Sequence, residues 1–281
     1  MELKIADEHL KPLKAIPTNL SLTGSLPNKI EAILFDIYGT LFISASGDIS
    51  LAKQEAKQNI KIKNLFQRYN ITLDPQEVFA QLFQEIEQNH QKLKNEGIDY
   101  PEIKIEKIWL KILNLKNEDE AQEFALEYEL IVNPVYPMPN LEKLLEVCQK
   151  KNIVRGIISN AQFFTPLLFS AFLKKDLTEF GFAKELLFFS YQYNYAKPSQ
   201  FLFNKALQAL RLKNISPDNT LYVGNDMLND IYPAQKAGFM TALFAGDKRS
   251  LRLRKEDERI KNISANLIIT DLNQLISYLD S

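Results

Sequence analysis

The sequence predicts an α/β protein with a doubly wound parallel sheet, a Rossmann-type core, and a second domain that is all-helical. Two observations carry this prediction. From about residue 138 onward, short apolar runs alternate with amphipathic segments, and strands that alternate with helices form parallel sheets with right-handed crossovers. Between about residues 50 and 130 the apolar residues recur only at helical spacing, which indicates helices without strands.

Composition excludes several classes of protein. With 281 residues, 46% of them hydrophobic, the chain has ample material for a core. A formal net charge of -1 gives no general attraction to nucleic acid or to an anionic membrane, so neither is expected as a partner. No apolar run approaches the roughly 18 residues of a membrane span, and the single cysteine, Cys148, allows no internal disulfide. We expect a cytoplasmic protein, either a monomer or a homodimer.

The same pattern divides the chain into three parts. Residues 1–30, rich in proline and polar side chains, are predicted to be an irregular extension. Residues 31–46 and 135–281 are predicted to form the α/β core domain. Residues 47–134 are predicted to form the helical domain, inserted between the first two strands of the core.

The first core strand is the apolar run Ala32–Phe35, which ends at the carboxylate of Asp36. Four apolar residues followed by a turn, here at Gly39, are typical of a buried strand. A carboxylate at the C-terminal end of such a strand lies where open α/β sheets bind their ligands. Asp36 is therefore the first candidate functional residue.

Four helices are predicted in the inserted domain. The second of them begins at Pro75, with Asp74 as its N-cap, because proline is tolerated at the first helical position and aspartate accepts from the first free amides. The helices cover residues 50–70, 74–95, 105–114 and 118–131.

Strands and helices then alternate to the end of the chain. Thr165 and Pro166 are predicted to be the N-cap and the first residue of one of these helices. The predicted strands cover residues 153–160, 185–193, 219–226, 240–246 and 265–271. The predicted helices cover residues 139–152, 163–175, 199–212, 230–239 and 272–281.

Polar residues follow four of the predicted strands. Asp36 follows the first, Ser159 and Asn160 follow the second, Lys197 follows the third after a loop, and an acidic segment, residues 224–230, follows the fourth. A carboxylate nucleophile that attacks an anionic group needs nearby cations and hydrogen-bond donors to absorb the negative charge. Lys197 supplies a fixed positive charge, and Ser159 supplies a hydroxyl and an amide.

These segments, in this order, resemble the four motifs of the haloacid dehalogenase-like (HAD) hydrolases, over residues 31–45 and 135–281. The resemblance implies a HAD-like fold with a helical cap after the first motif, and Asp36 as the nucleophile. It implies an enzyme that acts on a small, anionic substrate. The residues it implies for catalysis are Asp36, Thr40, Ser159, Asn160 and Lys197, and Ser159 is also expected to bind substrate.

The acidic segment predicts a magnesium site. Asp226 and Asp230 lie four residues apart across a strand-to-helix turn, so both can face one cation, and paired carboxylates suit the hard Mg²⁺ ion. Asn225 replaces the aspartate usual in the family at its position, and it could coordinate through its carbonyl oxygen but adds no charge. The resemblance implies that Asp36 and the backbone carbonyl of Tyr38 complete the shell.

Tyr38 leaves the type of reaction open. It stands where phosphatases of the family have a second aspartate that protonates the leaving group and activates water, and a phenol with a pKa of about 10 is a poor base at neutral pH. A magnesium-dependent phosphatase acting on a small phosphorylated metabolite is the first hypothesis, because the acidic segment suits a metal. A metal-independent 2-haloacid dehalogenase is the alternative, because halide leaves without a proton and dehalogenases of the family carry tyrosine here.

Two further expectations concern the substrate. In the dehalogenase hypothesis Tyr38 and a cap arginine contact the substrate, and Arg68 is the only arginine of the predicted cap. In a third hypothesis the missing acid marks a HAD-like binding protein without catalysis. Among basic residues near the last strands, Arg249 and Arg252 could reach an anionic substrate, although a solvated helix face is the favoured interpretation of that stretch.

Overall fold

A seven-stranded sheet forms the centre of the core domain in the computed structural model, which describes residues 3–46 and 60–279. The order across this sheet is β1-β9-β8-β7-β2-β5-β6, and β1 alone runs antiparallel to its neighbour, while β3 and β4 form a separate antiparallel pair. The strands are β1 (Thr23–Gly24), β2 (Ala32–Phe35), β3 (Phe42–Ser44), β4 (Val135–Pro137), β5 (Val154–Ser159), β6 (Phe182–Phe189), β7 (Thr220–Gly224), β8 (Met240–Phe244) and β9 (Leu267–Ile269).

Strand β2 lies in the interior of the sheet, between β5 and β7. Its four residues are fully buried, as the uninterrupted apolar run predicts for a parallel strand covered on both faces. Phe35 pairs with Ile157 of β5 and with Val223 of β7, so the residues that follow these three strands emerge at the same edge of the sheet.

Helices cover both faces of the sheet, and four of them lie between β3 and β4. We call these four, α1 to α4, the insertion. The helices are α1 (Ile60–Arg68), α2 (Pro75–Asn95), α3 (Ile105–Leu113), α4 (Glu118–Val132), α5 (Leu141–Lys150), α6 (Leu167–Leu173), α7 (Ser190–Tyr193), α8 (Gln200–Leu212) and α9 (Tyr232–Lys236).

The insertion has its own apolar cluster, separate from the clusters of the sheet. The ring centroid of Trp109 lies 4.9 Å from that of Phe124 and 4.8 Å from that of Tyr128. Asp74 accepts a hydrogen bond from the Gln76 amide and caps α2, as predicted. Of the predicted first helix, residues 50–59 lie outside the described residues, and the boundaries predicted for the domains stay a prediction.

Three local structures differ from the predicted ones. The third predicted strand ends at Phe189, and the chain continues as the short helix α7. A π-helical turn, Met227–Ile231, precedes α9, and the last predicted helix is a 3₁₀ helix, Leu272–Tyr278. Thr165 is not the N-cap of α6, because its hydroxyl accepts from the Gln162 amide and contacts the Tyr38 hydroxyl instead.

The N-terminal segment runs along the core. Strand β1 pairs with the edge strand β9, the Thr18 hydroxyl donates to the Ala245 carbonyl at 2.8 Å, and the Lys248 amide donates to the Ile16 carbonyl at 2.7 Å. The segment contains this short strand and a 3₁₀ helix, Asp7–His9. Within residues 3–46 and 60–279, every helix is too short or too polar to cross a bilayer.

Candidate active site

The Asp36 side chain lies in a buried polar cluster at the carboxyl end of the sheet, where it is 6% exposed. Its Oδ1 atom accepts hydrogen bonds from the Ser159 hydroxyl at 2.9 Å and from the Lys197 ammonium at 2.7 Å. Its Oδ2 atom lies 3.5 Å from the Thr40 hydroxyl, a long contact. One carboxylate oxygen is therefore held by two donors, and the other is the better placed of the two to attack a substrate.

The turn after Asp36 depends on Gly39. Its φ of +80° is a conformation that residues with a side chain rarely adopt, and its amide donates to the Phe42 carbonyl at 2.7 Å. A Cβ atom at this position would lie 2.4 Å from the Cβ of Ser250. The tight turn brings Thr40 back beside the Asp36 carboxylate.

Lys197 is fixed from both ends. The Asn160 side chain accepts from the Lys197 amide at 2.7 Å and donates to the Lys197 carbonyl at 3.3 Å. The Lys197 ammonium lies 2.5 Å from Asp230 Oδ1 as well as against Asp36. The predicted residues Asn160 and Lys197 thus meet, but Asn160 contacts the backbone that carries Lys197 and not the Asp36 carboxylate.

Tyr222, which the sequence analysis missed, completes this cluster. Its hydroxyl lies 3.2 Å from the Lys197 ammonium, 3.0 Å from Asp230 Oδ1 and 2.9 Å from the Ile158 carbonyl. Burial raises the pKa of Tyr222, so it remains a neutral phenol. The sequence does contain a signal for this role, since Tyr222 lies in the middle of a predicted buried strand. A buried hydroxyl needs a polar partner, so a tyrosine there indicates a polar group nearby.

Lys197 is the cation of this cluster and lies between the carboxylates of Asp36 and Asp230. Burial alone would lower the pKa of Lys197, but the carboxylates of Asp230 and Asp36 outweigh burial and raise it, so the side chain stays an ammonium. Burial raises the pKa of Asp230, and the nearby Lys197 charge opposes this shift. The positive charge of Lys197 is therefore a permanent feature of the site at neutral pH.

Tyr38 lies in the turn that follows Asp36, and its hydroxyl is 3.0 Å from the Thr165 hydroxyl. Burial, and secondarily the charge of Glu129, raises the pKa of Tyr38 above its ordinary value. The phenol neither gives up nor takes a proton readily near neutral pH. The structure therefore strengthens the inference that Tyr38 cannot do the work of an acid–base carboxylate.

Asp226 and Asp230, the carboxylate pair of the predicted magnesium site, do not share one cation in the structure. Asp230 Oδ1 accepts from Lys197, and its Oδ2 accepts from the Asp226 amide at 2.9 Å. Asp226 accepts from the Leu228 and Asn229 amides and forms an ion pair with Arg254 at 2.7 Å. The two carboxylates are thus engaged by different cations. Within the part of the chain that the structure describes, no three acidic, histidine or cysteine side chains form a group that could hold a metal ion.

Asn225 and Arg68 complete the predicted set. The Asn225 Oδ1 atom accepts from the Thr40 hydroxyl at 3.3 Å, and its amide donates to the Ser250 carbonyl at 2.5 Å. Arg68 lies outside the site. Its side chain is 51% exposed and forms an ion pair with Glu127 within the insertion. The structure therefore brings together the predicted core residues but leaves the predicted cap arginine outside.

Basic residues near the last strands have roles that the sequence analysis did not find. Arg254 pairs with Asp226, although neither the charge pattern nor a motif singled it out. Arg249 forms an ion pair with the buried Asp247 at 2.8 Å, and the Arg252 amide donates to the Asn225 carbonyl at 2.9 Å. This stretch is a loop that supports the site and not the solvated helix face that was expected.

This geometry is typical of an enzyme that acts on a small molecule at the carboxyl end of a parallel sheet. A family model described as haloacid dehalogenase-like hydrolase matches residues 30–238. The chain therefore belongs to the haloacid dehalogenase-like hydrolases, which confirms the predicted family and α/β fold. No curated protein matches it in a sequence search.

Solved structures share the fold. A HAD phosphatase from Thermococcus onnurineus has a TM-score of 0.54 and 18% identity, over 89% of this chain and 98% of that one. The HAD-hydrolase YfnB from Bacillus subtilis, in a form bound to magnesium, has a TM-score of 0.51 and 19% identity, over 90% and 100%. The L-2-haloacid dehalogenase RSc1362 has a TM-score of 0.51 and 15% identity, over 90% and 100%. At these identities the likeness establishes the fold alone.

Proposed function

We propose that this hydrolase uses the Asp36 carboxylate to displace a leaving group that departs as a stable anion, as halide does from a 2-haloacid. The observation that carries this proposal is the contact of the Tyr38 hydroxyl with Thr165 at 3.0 Å. A partly buried, neutral phenol stands where a poor leaving group would need a proton donor. A halide needs none, so the first step of this reaction needs no second acid.

The first step follows from the contacts of Asp36. Ser159 and Lys197 hold its Oδ1 atom, so Oδ2 attacks the substrate carbon. The new carbon–oxygen bond forms as the carbon–halogen bond breaks, and the halide leaves with the bonding electron pair. Lys197, whose charge is permanent, attracts the carboxylate of the substrate and orients it. The product of this step is an ester on Asp36, which water then cleaves.

The arrangement of charges supports this choice over the magnesium-dependent phosphatase that the sequence favoured. The sequence argument rested on Asp226 and Asp230 sharing one cation. Lys197 engages Asp230 at 2.5 Å and Arg254 engages Asp226 at 2.7 Å, so a different side-chain cation already pairs with each carboxylate. The displacement of halide needs no metal ion. This agrees with carboxylates, those of Asp226 and Asp230, that already pair with side-chain cations.

A phosphatase acting on esters with a good leaving group is the second candidate, and one observation favours it. The Thr40 hydroxyl contacts both Asp36 Oδ2 and Asn225 Oδ1, at 3.5 Å and 3.3 Å, so one carboxylate and one amide oxygen converge. Oxygen donors of this kind are the ligands that Mg²⁺ prefers. With a single negative charge, such a pair predicts weak binding of the ion.

Two assays on the purified protein test these proposals. One measures halide release from 2-chloropropionate, and the other measures phosphate release from p-nitrophenyl phosphate, each with added Mg²⁺ and with EDTA. Asp36→Asn tests the nucleophile, and Asp218→Asn, at an exposed site, is the matched control. Halide release that EDTA leaves unchanged and Asp36→Asn abolishes is the expected result.

Other results have definite meanings. Phosphate release that depends on Mg²⁺ and on Asp36, without halide release, would replace the first candidate by the second. Turnover of neither substrate would contradict both and support a binding protein without catalysis. Activity that survives Asp36→Asn would contradict the nucleophile itself.

A further inference from the structure

The segment of the insertion between α2 and α3 pairs with the residues that precede Lys197. The Ala196 amide donates to the Tyr100 carbonyl at 2.8 Å, and the Glu102 amide donates to the Asn194 carbonyl at 3.0 Å. Two main-chain hydrogen bonds therefore join the insertion to the loop that carries Lys197, one of them at the residue directly before it.

The Glu102 side chain of this segment binds two loops of the core. Its Oε2 atom accepts from the Ser190 hydroxyl at 2.7 Å. Its Oε1 atom accepts from the Ile103 amide at 2.9 Å and from the Gln162 side-chain amide at 3.2 Å. Burial raises the pKa of Glu102, and these three hydrogen bonds, which favour the carboxylate, oppose that shift. Gln162 lies two residues after Asn160, so the carboxylate contacts the loop that follows β5 as well as α7.

A chain of hydrogen bonds leads from Glu102 to Lys197. The Ala161 amide donates to the Ser190 Oγ atom at 2.9 Å. The Ser190 hydroxyl has one proton, and its oxygen lies 2.7 Å from Glu102 Oε2 but 3.2 Å from the Ala161 carbonyl oxygen. Hydrogen bonds to an ionised acceptor are shorter and stronger, so the proton faces Glu102 and the Ser190 oxygen holds the Ala161 amide. Ala161 follows Asn160, whose side chain holds the Lys197 backbone.

We propose that Glu102 is a positioning residue, which holds the loops of Ser159 and Lys197 at the separation where both contact the same oxygen of Asp36. The inference rests on the proposed roles of Asp36 and Lys197. In this role Glu102 acts through Ser190 and not on the substrate. Because a misplacement of 1 Å in a catalytic group can cost about 10²-fold in rate, a residue that fixes both loops has a large effect on turnover.

Full-length Glu102→Gln tests the carboxylate at nearly constant shape. Since Oε1 accepts from two donors, the side-chain oxygen of the variant stays there and its NH₂ group faces Ser190. The Ser190 oxygen then accepts from this NH₂ group, which competes with the Ala161 amide. We expect kcat and kcat/KM to fall together by about 10–100-fold. The substrate is whichever of 2-chloropropionate and p-nitrophenyl phosphate the wild type turns over.

The matched control is Glu85→Gln, because Glu85 pairs with the exposed Lys111 inside the insertion. This variant should keep the wild-type rates. Ser190→Ala removes the link itself, and the double variant with Glu102→Gln should be no slower than the slower single variant, since both changes interrupt the same chain. Losses that multiply in the double variant would overturn the inference, as would an unchanged rate in Glu102→Gln. If Glu102→Gln does not fold, as circular dichroism shows, Ser190→Ala with wild-type rates would overturn it.

Hydrogen–deuterium exchange, measured by mass spectrometry without substrate, tests the two loops directly. In Glu102→Gln the peptides that contain Ala161 and Lys197 should exchange about 2–10-fold faster, as expected for the loss of one hydrogen bond. Peptides from β8 and β9, and all peptides of Glu85→Gln, should exchange as in the wild type. Unchanged exchange at Ala161 and Lys197 would overturn the inference. Faster exchange throughout the core would also overturn it, because that pattern indicates a general loss of stability.

The exchange measurement separates this inference from the proposed function. A wild-type protein that turns over neither substrate contradicts the proposed function. Faster exchange confined to the two loops of Glu102→Gln then still supports the link that Glu102 makes, and unchanged exchange overturns it. An active wild-type protein with a Glu102→Gln variant of wild-type rate and exchange contradicts only the role of Glu102.

Discussion

The Lys197 ammonium lies 2.7 Å from Oδ1 of Asp36 and 2.5 Å from Oδ1 of Asp230, and all three side chains are buried. One buried cation thus neutralises part of the charge of two carboxylates that come from different strands. Removing one member of such a group leaves uncompensated buried charge, which is costly. The stability of the site and its reactivity should therefore respond together to a change at Lys197.

Lys197→Met should lower kcat by about 10²–10³-fold, because it removes the charge that orients the nucleophile and the substrate. It should also reduce the free energy of unfolding by about 3–5 kcal/mol at neutral pH. Burial already raises the pKa of Asp230, and without Lys197 that pKa rises further, so the folded variant binds a proton more tightly than the unfolded chain. Its stability should recover as the pH falls, which urea unfolding at several pH values measures.

The matched control for this variant is Lys213→Met. Lys213 pairs at the surface with the half-exposed Glu185, and exposed ion pairs contribute about 0–1 kcal/mol. A loss of stability in Lys197→Met no larger than that in the control would contradict the buried cluster.

Asp226→Asn should leave most of the activity intact, because Asp226 contacts Arg254 and its own turn and not Asp36. Arg254 is 38% exposed in its side chain, so solvent screens the pair and the stability should fall by no more than about 1–2 kcal/mol. Isothermal titration of the wild type and the variant with Mg²⁺ should give no difference between them. Loss of both activity and tight Mg²⁺ binding in the variant would instead restore the predicted metal site.

Tyr38→Phe should change kcat by less than about tenfold, since its hydroxyl contributes one hydrogen bond to Thr165 and no proton transfer. Burial raises the pKa of Tyr38 above its ordinary value, so the phenol stays neutral at and around neutral pH. The pH–rate profile of kcat should therefore have the same shape in the variant and the wild type. If the pH–rate profile of the wild type has a basic limb that is absent from Tyr38→Phe, the Tyr38 phenol loses a proton in the pH range of the reaction.

Gly39→Ala should abolish activity, whereas Gly97→Ala should not. Both glycines have a positive φ, +80° and +92°, so both substitutions carry a backbone cost of about 1 kcal/mol. A Cβ at Gly39 would lie 2.4 Å from the Ser250 Cβ, but one at Gly97 would meet no atom within 4 Å. Thermal unfolding and halide release for the two variants measure the difference, and equal losses would mean that crowding at Gly39 has no consequence.

Most of the fold could be predicted from the sequence because neighbouring residues in the chain mark each core strand. The run Ala32–Phe35 is apolar on both faces and ends at a turn glycine, so its position and its burial follow directly. The end of β6 at Phe189 could not be found in this way, since the aromatic residues that follow suit a strand equally well.

The candidate site was predicted in part because its residues follow consecutive strands, and the register of a parallel sheet brings such residues together. The partners of the acidic segment could not be predicted. Asp226 and Asp230 have the same side chain and lie four residues apart, yet one meets Arg254 and the other meets Lys197. Which cation each meets depends on contacts between segments far apart in the sequence.

The two-residue strand at Thr23–Gly24 carries no site residue, yet it covers the open side of β9. A free strand edge is a template for pairing with another chain, and such edges promote aggregation. The N-terminal segment therefore protects the protein against self-association at this edge. Its loss would reduce solubility during folding and storage, even where every residue near Asp36 is intact.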